Sequence, residues 1–103
     1  WTLVTNHLGG DTVAGGHLKS TSGWNEEGVG GSNSSGFSGL PGGHRYYSNG
    51  NLNHAGNRGF WWSSSSVGSV AWLRRLDHDS GAVVRYNNSH RDGHSVRCIQ
   101  DPE

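Results

Sequence analysis

The sequence predicts a small α+β domain with one short N-terminal helix, long ordered loops and a small antiparallel sheet near the C-terminus. Three observations predict this class. Apolar residues recur at helical spacing over the first eight positions, Gly, Ser and Asn dominate residues 9–59, and apolar and polar residues alternate in the last third. The length of 103 residues suits a single domain spanning residues 1–103.

Glycine limits the core of this domain. Hydrophobic residues make up 30% of the chain, and 18 residues are glycine. Because glycine buries almost no side-chain area, we expect the core to depend on a few large side chains. The same glycines exclude a long helical bundle, since each costs a helix about 1 kcal/mol relative to alanine. The large side chains expected to dominate are Trp1, Trp24, Trp61, Trp62 and Trp72.

The first predicted element is a helix over residues 1–8. Trp1, Val4 and Leu8 lie at helical spacing, and Gly9 and Gly10 form a typical C-terminal stop. No capping residue precedes Trp1, although the first N–H groups of a helix need hydrogen-bond acceptors. We therefore expect that a preceding segment is missing and that residues 1–103 are the C-terminal portion of a longer domain or chain.

Residues 9–59 are expected to be ordered loop with short strands rather than disorder. Isolated apolar residues recur there about every ten positions, and disordered tracts rarely contain Trp. Four side chains, three from this region and one from further along, are expected to be core: Trp24, Phe37, Leu40 and Trp72.

The last third predicts a three-stranded antiparallel meander. Its expected strands are residues 70–76, 82–86 and 94–99, with a turn at 77–81 and a polar loop at 87–93. This arrangement completes the predicted sheet.

Strand alternation also predicts which side chains are buried. In the third strand, Val96 and Cys98 would face inward, with Ser95 and Arg97 outward. Of the adjacent tryptophans at 61 and 62, one must point inward, and we expect Trp61 to be buried and Trp62 to be partly exposed.

Charge excludes two classes of partner. Lys and Arg together number 8, as do Asp and Glu, so the formal net charge is zero. Nucleic-acid binders and membrane-surface proteins need a basic excess, and no run approaches the roughly 20 apolar residues of a membrane span. We expect neither nucleic-acid binding nor membrane insertion. Lys19 is the only lysine, and the other basic residues are arginines, which suit planar, multi-donor recognition.

The polar loops and strands are rich in Tyr, Asn, Ser, Arg and His. Tyr and Trp provide rigid contact area, while Arg, Asn and Ser provide directed hydrogen bonds, as in antibody combining sites. Asn and Ser are also ordinary loop formers, but the scarcity of Lys and Glu favours recognition. The residues expected to bind a ligand are Tyr46, Tyr47, Trp62, Arg75, Arg85, Tyr86, Asn87, Asn88, His90, Arg91 and Asp92.

Metal sites have little support in the sequence, and no cofactor is expected. His90 and His94 are four residues apart, but this spacing converges on a metal only in a helix, and Gly93 argues against one. The segment from Asp77 to Gly81 has the composition of a hairpin turn. A weak calcium site formed by Asp77, Asp79 and Asn88 is the alternative, although it lacks the closing bidentate Glu.

Several motifs together resemble a known family. Leu-Pro-Gly-Gly-His-Arg at 40–45, Trp-Trp-Ser-Ser at 61–64 and Ser-Val-Arg-Cys at 95–98 follow an N-terminal Trp and a Leu-Gly-Gly at 8–10. In this order they resemble the Fibrobacter succinogenes major paralogous domain of bacterial surface and secreted proteins. The resemblance covers nearly the whole chain. It implies a C-type-lectin-like fold, related to formylglycine-generating enzymes and to retroelement variable proteins.

The chain also departs from the family pattern. The family normally has an upstream Cys that the resemblance pairs with the one at Cys98, and no such residue is present here. His94 stands where the family usually has Phe. The formylglycine-generating relatives use a pair of active-site cysteines, which a single cysteine cannot provide, and no Gly-x-Ser-x-Gly elbow is present.

The expected function is therefore non-enzymatic. The chain is expected to be an extracellular or cell-surface binding or adhesion module, or part of a virion tail or fibre, that recognises a glycan or a protein surface. The alternative is a structural module of a surface fibre or appendage, packed against neighbouring subunits or against the missing N-terminal segment.

Overall fold

A computed structural model describes residues 1–25, 31–68, 70–89 and 92–98. These residues form an α+β structure with two short helices and two small antiparallel sheets, which confirms the predicted class. The helices are α1, Thr2–His7, and α2, Ala14–Leu18. The smaller sheet pairs β1, His44–Arg45, with β2, Leu52–Asn53. The larger sheet has the order β3, Arg58–Val67; β4, Val70–Asp77; and β5, Val83–Ser89.

Helix α2 is an element that the sequence did not predict. It contains Gly15 and Gly16, which disfavour a helix in isolation. Tertiary packing explains it, because Gly15 donates a 2.8 Å hydrogen bond to the carbonyl of Gly81, and a side chain at Gly15 would collide with the Ala82 carbonyl oxygen. Leu18, at the end of α2, is fully buried.

The predicted meander exists, but one of its three strands is wrong. Residues 70–76 and 82–86 correspond to β4 and β5, whereas the third strand is β3 instead of residues 94–99. The four serines from 63 to 66 lie within β3, where the register with β4 shifts between Trp62 and Ser66.

The segment expected to form that last strand makes only single bridges. Ser95 pairs with Trp61 and Gly93 pairs with Arg45. Val96 is 71% exposed and Cys98 is exposed, so the expectation that they face inward is wrong, since no second ladder covers them. Ile99, the end of the predicted strand, lies outside the described residues.

The larger sheet has two differently covered faces. Directly opposed residues share a face, so one face carries Trp61, Leu76 and Val83, which pack with Ala14 and Leu18 of α2. We call it the helix-side face. The other, the loop-side face, carries Phe60, Trp62, Leu73, Arg75 and Tyr86.

The tryptophans contribute to the core unequally. Trp61 is 5% exposed and Trp62 is partly exposed, which confirms the prediction for this pair. Trp1 and Trp24 are partly buried against the core cluster.

Two side chains expected in the core are not part of it. Leu40 is 59% exposed, in a loop that turns its side chain toward solvent. Trp72 is partly exposed, and the group that lies over its ring is the charged guanidinium of Arg85. Within the described ranges, no helix is long and apolar enough to cross a membrane.

Candidate binding surface

An aromatic row crosses the loop-side face. Its centre is Phe60, which is 1% exposed. The ring of His44 packs edge-on against that of Phe60, with the two ring centres 4.5 Å apart. The ring of His94 lies 5.5 Å from Phe60 and 4.3 Å from Trp62. At the other end, the ring of His44 is 6.2 Å from that of Tyr46. We define the aromatic row as Trp62, His94, Phe60, His44, Tyr46 and Tyr47.

The row ends in a stacked pair of exposed tyrosines. Tyr46 and Tyr47 are 39% and 51% exposed, and their rings are 5.6 Å apart with an angle of 27° between their planes. The turn that carries them is closed by hydrogen bonds of 2.9 Å from the Tyr46 N–H to Asn51 and 2.8 Å from the Gly50 N–H to Tyr46. This end of the row is therefore both accessible and held in place.

Asp92 stabilises the turn that carries Tyr46 and Tyr47. It is 5% exposed, and its Oδ1 accepts a 3.0 Å hydrogen bond from the main-chain N–H of Tyr47. Asp92 therefore positions the tyrosine pair rather than presenting its carboxylate to solvent.

Arg75 and Tyr86 lie beside the row. One edge of the Arg75 guanidinium engages Asp77, with Nε to Oδ1 at 2.8 Å and Nη2 to Oδ2 at 3.0 Å, and Arg58 Nε lies 3.4 Å from the same carboxylate. The Arg75 guanidinium is 5.6 Å from the ring centre of Tyr86, and burial raises the pKa of the Tyr86 phenol. Arg75 thus anchors this edge, since a fork paired with one carboxylate has few donors left.

The pKa values of two histidines are lowered. Burial lowers the pKa of His94 to about 4, with a smaller contribution from His44, while Asp92 opposes the shift. The pKa of His54, whose ring is 5.6 Å from that of His44, is lowered by burial and then by Arg58. At neutral pH the His94 ring is therefore uncharged and adds aromatic area without charge to the row.

The structure divides the predicted ligand-binding residues between two faces. Arg85 and Asn87 lie on the helix-side face, opposite Arg74 and Trp72. Asn88 pairs with Ala71 through the main chain. His90 and Arg91 lie outside the described residues. Six of the predicted ligand-binding residues lie on the loop-side face or next to it: Tyr46, Tyr47, Trp62, Arg75, Tyr86 and Asp92.

The structure separates the residues of the candidate calcium site. Asp77 is neutralised by the two arginines, and Asn88 lies five strand positions beyond Val83, roughly 17 Å from the turn that carries Asp79. In the described part of the chain, no three His, Cys, Asp or Glu side chains are grouped so that they could hold a metal ion.

Sequence reasoning missed Phe60, His44 and His94 as site residues. The available signal was the spacing of Phe60 and Trp62, two residues apart on a strand and therefore on one face. His44 carried no local signal, since it reaches Phe60 only through the pairing of Gly43 with Gly59.

Comparison with protein families identifies one match. The model of the Fibrobacter succinogenes major domain matches residues 1–100. Neither the curated proteins nor the solved structures contain a significant match. Since the matched span is nearly the whole chain, this protein belongs to the Fibrobacter succinogenes major domain family.

Proposed function

We propose that this chain is a non-enzymatic ligand-binding or adhesion module that recognises a glycan or a protein surface through the aromatic row. The observation that carries the proposal is the exposed, stacked pair of Tyr46 and Tyr47, continuous with the buried ring of Phe60. Exposed rings on a fixed support provide contact area without a large loss of side-chain entropy on binding.

The two ends of the row support contacts of different kinds. Tyr46 and Tyr47 combine ring faces with hydroxyl groups that donate or accept hydrogen bonds. Trp62 is partly exposed at the other end, and its ring packs edge-on against His94. A sugar ring has apolar C–H faces and a rim of hydroxyl groups, so it complements such a surface, as does a polar protein epitope with an aromatic anchor.

We propose further that the fold is C-type-lectin-like and that the module works at a bacterial cell surface, in a secretion or on a virion fibre. The long ordered loops around a small sheet are the feature that supports this fold. Family membership supports the location, by resemblance to surface and secreted modules.

A glycan array, together with capture of surface proteins, tests the proposal. The double variant Tyr46→Ala with Tyr47→Ala should lower the affinity for any ligand found by about tenfold or more, as expected for loss of two central aromatic contacts. Leu3→Ala is the matched control, because Leu3 is 86% exposed on α1 and lies outside the row. An unchanged affinity in the double variant contradicts the proposal, as does the absence of any ligand.

Exposed apolar side chains favour one alternative, a structural module that packs on neighbouring subunits. Leu3, Leu52 and Val96 are 86%, 57% and 71% exposed, and the Cys98 thiol is accessible for a bond to another chain. Light scattering over a wide concentration range distinguishes the two. Assembly predicts a mass that grows with concentration, whereas a constant monomer mass supports the binding module.

A further inference from the structure

Two neighbouring cavities lie beside Trp1, which lines both. The smaller has a volume of about 150 Å³ and is lined by Trp72, Arg74 and Arg85, and we call it the arginine cavity. The larger, of about 480 Å³, includes the rings of Phe37 and Trp62, and we call it the aromatic cavity. Both cavities share three wall residues: Trp1, Ser63 and Ser64.

Arg74 is a buried cation at the wall of the arginine cavity. It is 5% exposed, and its Nη2 donates a long, 3.4 Å hydrogen bond to Thr2 Oγ1. The ion pairs of the described residues involve Arg58, Arg75 and Asp77, and none involves Arg74. A buried guanidinium without a carboxylate partner is unfavourable, so an anion in this cavity would stabilise it.

Arg85 adds a second positive charge directly opposite. Arg74 and Arg85 are paired in the β4–β5 register, and like charges in this position destabilise a sheet. Burial and the charge of Arg85 both lower the pKa of Arg74, while Asp11, which is not within ion-pair distance, opposes the shift.

Trp72 fixes the orientation of Arg85. The Arg85 guanidinium carbon lies 3.7 Å from the centre of the Trp72 ring. Because all five N–H donors of a guanidinium lie in its plane, stacking one face leaves the donor edges directed into the surroundings. The arginine cavity is therefore lined by one guanidinium that lies over a tryptophan ring and by one buried cation, an arrangement that suits a carboxylate.

We propose that these two cavities together bind a small organic carboxylate, with the carboxylate between Arg74 and Arg85 and a flat apolar body in the aromatic cavity. The aromatic cavity is within the usual size range for small-molecule sites, and the indole of Trp1 borders both parts. The inference does not rest on the function proposed above, because Tyr46 and Tyr47, which carry that proposal, line neither cavity; Trp62 alone is shared by the aromatic row and the aromatic cavity.

The probe for this site is 2-naphthoate, which combines a flat apolar body with one carboxylate. Titration of the full 103-residue chain, followed by calorimetry and Trp fluorescence, should give a Kd of about 1 mM or tighter. The neutral analogue 2-naphthol should bind about tenfold more weakly, since it lacks the charge-assisted hydrogen bonds. Inorganic sulfate should also bind about tenfold more weakly, since it leaves the aromatic cavity empty.

Variants separate this site from nonspecific binding. Arg85→Gln should weaken 2-naphthoate binding about fivefold to tenfold, and the exposed position of Arg85 allows the chain to fold without its charge. Arg45→Gln, an exposed arginine on β1, is the matched control and should leave the Kd unchanged. Equal binding of 2-naphthoate to wild type and Arg85→Gln overturns the proposal. So does equal affinity for 2-naphthoate and 2-naphthol, equal affinity for sulfate, or no binding at millimolar concentration.

Discussion

The ammonium group of Lys19 lies 3.0 Å from the main-chain oxygen of Asp77 and 2.8 Å from that of Ser80. These two oxygens flank the turn between β4 and β5, and Lys19 is fully buried with the Trp24 ring 5.6 Å away. Burial lowers the pKa of Lys19, and Asp77 and Asp79 oppose the shift. The only lysine of the chain therefore holds the helical segment to the sheet instead of adding charge to the surface.

Replacing Lys19 should destabilise the fold strongly. Lys19→Met keeps most of the apolar stem but leaves two carbonyl groups without their donor, so the free energy of unfolding should fall by about 2–4 kcal/mol. Urea unfolding followed by Trp fluorescence measures this loss. Arg45→Met, at an exposed position, should change the free energy by less than about 0.5 kcal/mol. A similar small change for Lys19→Met would contradict the anchoring role.

The adjacent tryptophans should differ sharply in their contribution to stability. The ring of Trp61 packs 5.5 Å from Phe37 and 6.3 Å from Trp1 in the core, so Trp61→Ala should cost about 3–5 kcal/mol. Trp62→Ala should cost about 1 kcal/mol, because Trp62 is partly exposed and its main-chain carbonyl, which accepts the Trp1 indole hydrogen bond, is retained. Thermal unfolding of both variants provides the comparison, and equal losses would contradict the assignment of faces.

The burial of Trp61 was predictable because strand alternation is a local property of the backbone. The position of Phe60 beside His44 was not, since it depends on a bridge between Gly43 and Gly59, which no local pattern encodes. Helix α2 was missed because it too depends on a distant contact. The turn at Gly81 approaches Gly15 so closely that a side chain there would collide with it, and helix propensity alone disfavours glycine.

Strand alternation also divides the predicted recognition residues between the two faces of the sheet. Tyr86 and Asn87 are neighbours in sequence, but alternation sends them to opposite sides of β5. Composition identifies such residues as a group and gives no information on which face each one occupies. Only the register with β4 separates the aromatic row from the arginine cavity.

The glycine at position 43 should be irreplaceable for a steric reason. Its φ is +68°, and a Cβ atom there would collide with the main-chain oxygen of Asn53 and lie 2.8 Å from the nitrogen of Ala55. Gly50 has a similar φ of +71°, but open space surrounds the position of its Cβ. Gly50→Ala should therefore cost only the backbone strain of about 1 kcal/mol, and Gly43→Ala about 3 kcal/mol or more.

The two alanine variants can be compared by urea unfolding under identical conditions. The difference between them isolates the collision, because the left-handed strain is common to both. If Gly43→Ala and Gly50→Ala lose the same free energy, the close approach of residues 53–55 to Gly43 is wrong.

The aromatic row should make stability depend on pH through His94. Its pKa is lowered from 6.5 to about 4, chiefly by burial and then by His44, with Asp92 opposing. The unfolded ring therefore binds a proton near pH 6.5, whereas the folded ring does so only near pH 4. Because the unfolded state holds more protons in between, the free energy of unfolding should fall as the pH drops through this window, and the full contribution is present above it.

His94→Phe, which places an aromatic ring without a titratable group beside Phe60 and Trp62, should remove this dependence. Between about pH 7 and about pH 4, wild type should lose about 1–2 kcal/mol more than the variant, after allowance for solvent screening of the half-buried ring. Losses from carboxylate groups are common to both proteins and cancel in the difference. Above about pH 7 the two stability curves should run parallel. If they run parallel through the acidic window as well, His94 is not buried against the row, and the lowered pKa of its ring is incorrect.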